Sequence, residues 1–288
     1  MDIEQNYTTE NQIDFTKTGA LKFNFQTLKN TASEELANGG LPKNRPVPHH
    51  KFFLWAKQLL EDSTNQKVDM SPIYITPAHT KRVMWNGEKG APVDVNHVLV
   101  KRAVVLLKSD IVSDVAGESI SPTVAISYNE SGIQIAFGEN VYACSNMNIW
   151  GDNHLQTYGE NKVSFESLES NVSDYMKNTV SRHQYNVGII TRLSEFEMDV
   201  KMQRNLQAEL WERAVEFGGK RGDVLNITQN TRMVEEVIKR RIAAGNSFTA
   251  WDFTQAGTEN LKPTRNDLVS LYPTIRNFNN FVSEKVLN

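Results

Sequence analysis

The sequence predicts an α+β fold: a mainly antiparallel sheet between about residues 71 and 150, covered by helices from about 164 to 288, behind an extended N-terminal arm. Three observations carry this. Residues 122–137 alternate β-branched or aromatic side chains with smaller ones about a turn, the pattern of a hairpin. Beyond residue 164 the apolar residues recur at three- and four-residue spacing, the pattern of helix faces. Residues 1–48 are poor in aliphatic side chains and end in Gly39-Gly40 and a cluster of Pro42, Pro46 and Pro48.

In chain order, residues 1–48 are read as an arm or linker that, if ordered, lies across another surface and mediates assembly into a homo-oligomer. Residues 49–288 are read as one α+β domain. Phe52, Trp55, Ala56, Leu59 and Leu60 fall on one helix face. His49 and His50, adjacent and so on different faces, read as punctuation before that helix and not as a metal site. SPIYITPAHTKRV, from Ser71, reads as an edge strand broken by prolines, and the valine-rich run from Val95 to Leu107 as a strand.

The hairpin follows, with Asn129-Glu130-Ser131-Gly132 as its turn. Gly138-Glu139-Asn140 reads as a break before a third run, Val141 to Cys144. One helix is expected from Ser164 through Phe165, Leu168, Val172, Tyr175, Met176, Thr179 and His183, and another over 196–217. A third is expected over 228–244, a fourth after a Thr249/Asp252 capping box, and a last carrying Leu268, Ile275, Phe278, Val282 and Val286.

The bulk numbers narrow the function. A formal charge of −3 gives no global attraction to nucleic acid, so a phosphate contact needs a local basic patch. A single cysteine excludes an intrachain disulfide and a paired-thiolate metal cage. No apolar run reaches the ~20 residues a membrane helix needs, and the acidic, polar opening MDIEQNYTTENQ is unlike a signal peptide. The expectation is therefore a cytoplasmic protein without membrane contact.

Walker, dinucleotide and G-x-S-x-G motifs are absent, so the expectation is a binding protein without cofactor or metal and not an enzyme. Cys144, at the end of an apolar strand, reads as structural. Asn146, Asn148 and His154 form a polar cluster that serves either a ligand or a turn. The densest basic group is Lys220, Arg221, Lys239, Arg240 and Arg241, and these are the expected nucleic-acid contacts, with Trp150 or Tyr158 stacking on unpaired bases. Single- or double-stranded DNA is the expected partner, and another protein the alternative.

With these residues quoted, the order of parts resembles a family found on phages, plasmids and prophages, known as phage/plasmid-like proteins. The hairpin running into Cys-Ser-Asn (SYNESGIQIAFGENVYACSN), the polar loop with His154 before a long helix, and WDFTQAGTEN near the C-terminal end carry the resemblance. Met147 stands where that family has glycine, and Gln255 where it has asparagine. The resemblance implies origin on a mobile genetic element and action in the cytoplasm of a bacterial host, and carries over no activity; the expected role is that of an accessory protein that binds nucleic acid during replication, recombination or establishment. It implies no catalytic residue. A defence inhibitor or an assembly component is the alternative role.

Overall fold

A computed structural model describes residues 21–30, 47–77, 100–129, 132–141, 149–150, 155–159, 165–216, 224–245, 247–259, 261 and 268–288. Along the chain run β1 (Leu21–Phe23), α1 (His49–Thr64), β2 (Val68–Met70), β3 (Ile73–Pro77), β4 (Val100–Ser109), β5 (Ser113–Val115), β6 (Glu118–Asn129), β7 (Gly132–Val141), β8 (Ile149–Trp150) and β9 (Leu155–Gly159). Six further helices follow: α2 (Phe165–Met176), α3 (Thr179–Glu195), α4 (Val200–Glu216), α5 (Ile227–Ala244), α6 (Ala250–Glu259) and α7 (Leu268–Leu287). The class is α+β, as the sequence predicts.

All these strands join one antiparallel sheet whose main path is β1-β3-β4-β6-β7-β8, with β2 on β4, β5 on β6 and β9 on β7. The hairpin β6–β7 is its spine. Val124, Ile126 and Tyr128 stand directly opposite Phe137, Ile135 and Ile133, so both strands place their large side chains on one face. The intervening pair, Ala125 opposite Ala136, gives the other face its small residues.

Both faces are covered. The large-residue face packs on α1, α2, Phe23 and Leu28. The small-residue face packs on the helices from α3 onward, with Trp251, Phe253, Phe278 and Phe281 filling the space above Ala125 and Ala136. Each core removes its own apolar surface from water at about 25 cal/mol per Å², so the sheet is held from two sides.

Three readings change. Within the segment expected to be an arm, Leu21–Phe23 adds a strand to β3, and Phe23 and Leu28 are buried in the first core. His49 and His50 are buried in the first turn of α1, where His49 lies 4.6 Å from the Tyr128 ring. Burial, with Lys51 and Lys29 nearby, lowers the pKa of His50. The helix expected to run unbroken to His183 divides at Lys177-Asn178. There the Asn178 amide donates to the Asp174 carbonyl and the Thr179 hydroxyl to that of Met176, so side chains take acceptors that a continuing helix would use.

Two helix starts are capped by reciprocal bonds, Asn226 with Gln229 on α5 and Thr249 with Asp252 on α6, the second as the sequence predicts.

Candidate functional site

The basic group divides on folding. Lys220 and Arg221 lie outside the described residues. Lys239 is exposed and ion-paired with Glu236 at 2.6 Å. Arg240 is partly buried, with its Nε enclosed and, among the described residues, without a hydrogen-bond partner, and its charge acts on Glu118. Arg241 turns inward: its guanidinium donates to the Gln203 carboxamide oxygen (2.6 Å) and the Met198 carbonyl (2.9 Å), and lies 4.4 Å above the Phe248 ring. Arg241 is thus committed to joining α5 to α4, and the outward charge of the run is Lys239.

The polar residues that the fold does bring together lie at the end of the hairpin. Gly138, Glu139 and Asn140 do not break the chain; they are strand residues near the end of β7, opposite Thr123, Pro122 and Ser121. Glu139 is 2% exposed, and α3 delivers His183 (3%) and Asn186 (4%) to it from one face, three residues apart. The Asn186 amide donates to Glu139 Oε1 at 3.0 Å, and His183 Nδ1 meets Oε2 at 2.7 Å. His183 Nε2 meets the Ser113 hydroxyl of β5 at 2.8 Å. A carboxylate this deep is tolerated because both oxygens are bonded; removing one partner of such a pair costs about 3–5 kcal/mol.

Next to this cluster opens a cleft of about 350 Å³, lined by Trp150, Tyr185, Asn186, Arg192, Asn279 and Asn280 among others. Trp150 comes from β8, where it is the register partner of Glu139, and its ring meets Trp251 edge-on at 5.9 Å. Asn279 of α7 is 2% exposed and Trp150 4%, yet among the described residues neither atom of the Asn279 carboxamide nor the Trp150 indole N–H has a hydrogen-bond partner. An unmade bond at a buried polar group costs about 1–3 kcal/mol, so three such atoms on residues that line one cleft make it the candidate site. Tyr185 stands 66% exposed at the rim. The Arg192 guanidinium donates to the Leu287 carbonyl, and Glu284 is the opposing charge.

Asn146, Asn148, His154 and Cys144 lie outside the described residues, as does the side chain of Tyr158. Trp150, expected to stack on bases, is in the cleft. Among the described residues no group of three or more His, Cys, Asp or Glu is arranged to hold a metal ion, and no helix is long and apolar enough to cross a membrane. Comparison with protein-family models, with characterised proteins and with solved structures finds no match.

Residues 251–259, the described part of the segment that carries part of the resemblance to phage/plasmid-like proteins, fall on α6 and serve packing. Trp251 donates its indole N–H to Glu118 at 3.1 Å, Phe253 is fully buried, and Gly257 abuts Phe278. Burial, with Asp252 nearby, raises the Glu118 pKa against the opposing pull of Trp251 and Arg240.

Proposed function

We propose that the protein acts by binding nucleic acid, in the accessory role on a mobile genetic element that its resemblance suggests, and that it takes an unpaired base into the cleft between α3, α7 and β8. One observation carries this reading: the buried, unpartnered carboxamide of Asn279 beside the unpartnered indole N–H of Trp150. A carboxamide offers one acceptor and two donors in a plane, the complement of a base edge, and base edges are open to such a side chain in an unpaired strand. Tyr185 supplies an exposed ring at the rim on which a flanking base stacks. Lys239 and Arg240, with Lys220 and Arg221, are the proposed phosphate contacts, and binding through them weakens steeply as salt rises.

The test is anisotropy of a labelled single-stranded oligonucleotide at low salt. Asn279→Ala and Tyr185→Ala should each weaken binding by roughly 5- to 150-fold, the equivalent of about 1–3 kcal/mol per base contact. An abasic strand of equal length should bind the wild type as weakly as the normal strand binds Asn279→Ala. Equal affinity for both strands refutes the cleft as a base site. No binding of either strand refutes the nucleic-acid reading and leaves a protein partner. That second reading is favoured by Ile238 (52% exposed) and Ile242 (78%), one turn apart on the outer face of α5.

A further inference from the structure

The chain of contacts Ser113–His183–Glu139 has a polarity that the base-binding reading does not use. We infer that it is a nucleophilic site, in which Ser113 accepts an acyl group from an ester or thioester.

The direction of each bond follows from donor and acceptor chemistry. A carboxylate only accepts, so the imidazole proton of His183 sits on Nδ1 and points at Glu139 Oε2, 2.7 Å away. In the tautomer that this site requires, Nε2 carries the lone pair, and the Ser113 hydroxyl stands 2.8 Å away, placed to donate to it. That is a base bonded to a nucleophile and held in the right tautomer by a third group, the arrangement that activates serine on unrelated folds. Asn186 holds the other carboxylate oxygen, which fixes the plane of the carboxylate. Glu139 and His183 are sealed from water, whereas Ser113 is half-buried on a short strand, so the reactive end is the one that a substrate meets.

The hairpin also leaves one backbone N–H beside Ser113 that the site would use as its oxyanion donor. Val115 and Glu118 close a two-residue turn at Ala116-Gly117, both with positive φ, so Val115/Glu118 and Ser113/Ile120 are the hydrogen-bonded pairs of the ladder. The N–H of Asp114 therefore points away from β6, immediately after the nucleophile. In the reaction Ser113 Oγ bonds to the acyl carbon as its proton passes to His183 Nε2, and the carbonyl electrons move to oxygen beside that N–H. Collapse breaks the bond to the alcohol or thiol, which leaves with the proton from His183. Water then repeats the sequence and releases the carboxylic acid.

The test is labelling of the full chain with a fluorophosphonate probe, read by intact mass and peptide mapping. The expected result is one adduct on Ser113, absent in Ser113→Ala, with the labelling rate in Glu139→Gln lowered at least 100-fold. The Ser113→Ala melting temperature should fall by a few degrees, because the buried His183 Nε2 loses its hydroxyl partner, and circular dichroism checks that the variant is folded before its labelling is read. Failure of folded wild-type protein to label at Ser113, or equal rates in wild type and Glu139→Gln, overturns the inference. Because wild type alone decides the first point, an unfolded variant does not rescue it.

Discussion

Gly257 lies where α6 crosses α7, and an added Cβ there would sit 2.1 Å from Cζ and 2.3 Å from Cε1 of the Phe278 ring. Carbon atoms in contact stand about 3.5–4.0 Å apart, so the ring must retreat by well over 1 Å. It has nowhere to go: Phe278 is fully buried and stacks with Phe253 at 6.5 Å. Forced overpacking costs about 1–3 kcal/mol, and expelling the ring outright costs about as much as Phe→Ala, roughly 3–5 kcal/mol. Alanine regains about 1 kcal/mol of helix propensity over glycine. Gly257→Ala should therefore lose about 1–4 kcal/mol, read by urea titration followed by circular dichroism. Gly188, inside α3, is the matched control, because an added Cβ there meets nothing within 4 Å. Gly188→Ala should gain about 0.5–1 kcal/mol. Phe278→Leu should relieve Gly257→Ala in a double-mutant cycle by at least 1 kcal/mol. Equal gains at both glycines would show that α6 and α7 do not meet through this ring.

Arg241→Gln should destabilise the protein by about 2–4 kcal/mol, since it removes two charge-assisted hydrogen bonds and the cation over Phe248; Lys239→Gln should fall within about 0.5 kcal/mol of wild type by the same urea titration. Replacing Lys239, Arg240 and Arg241 together would accordingly perturb stability before it tested binding. Lys108, half-buried on β4, has its pKa lowered to about 8 by burial, against the favourable pull of Asp69 and Asp110. Between pH 8 and 10.5 the unfolded chain holds this proton and the folded chain releases it, so this group's contribution to stability rises with pH. Lys108→Met should be the more stable protein at pH 7, with the difference shrinking toward pH 10.5; a difference independent of pH would show that the ammonium is not desolvated.

The parts of the fold that local pattern dictates were legible. The hairpin register follows from alternation about Gly132, and α1, α4, α5 and the Thr249/Asp252 cap follow from spacing and capping chemistry. What escaped depends on partners far along the chain. Gly138-Glu139-Asn140 has the composition of a turn, and nothing local shows that His183, 44 residues on, converts Glu139 into a buried strand residue. The β5–β6 turn was hidden because Ala116 occupies a left-handed position that Asn or Gly usually fills. Arg241 looks like its neighbours in sequence; only the approach of α4 gives it Gln203 and the Met198 carbonyl. Asn279 carries no signal at all in an Asn-Asn pair on an apolar helix face.

The cleft and the Ser113 relay meet in one residue, and the hydrogen inventory of that residue decides whether they interfere. The Asn186 carboxamide has two donor hydrogens and one acceptor oxygen. One hydrogen goes to Glu139, and the rest of the group borders the cleft. A ligand can therefore bond to Asn186 without taking the donor that holds the carboxylate. Asn279→Ala, on the opposite helix, removes a cleft contact and leaves all the relay bonds in place, so it should weaken oligonucleotide binding while Ser113 labels at the wild-type rate. Asn186→Ala differs, because it strips Glu139 Oε1 of its only donor among the described bonds and widens the cleft together. Loss of labelling in Asn279→Ala would mean that the two sites are one, and that a bound base and the acyl group belong to a single substrate.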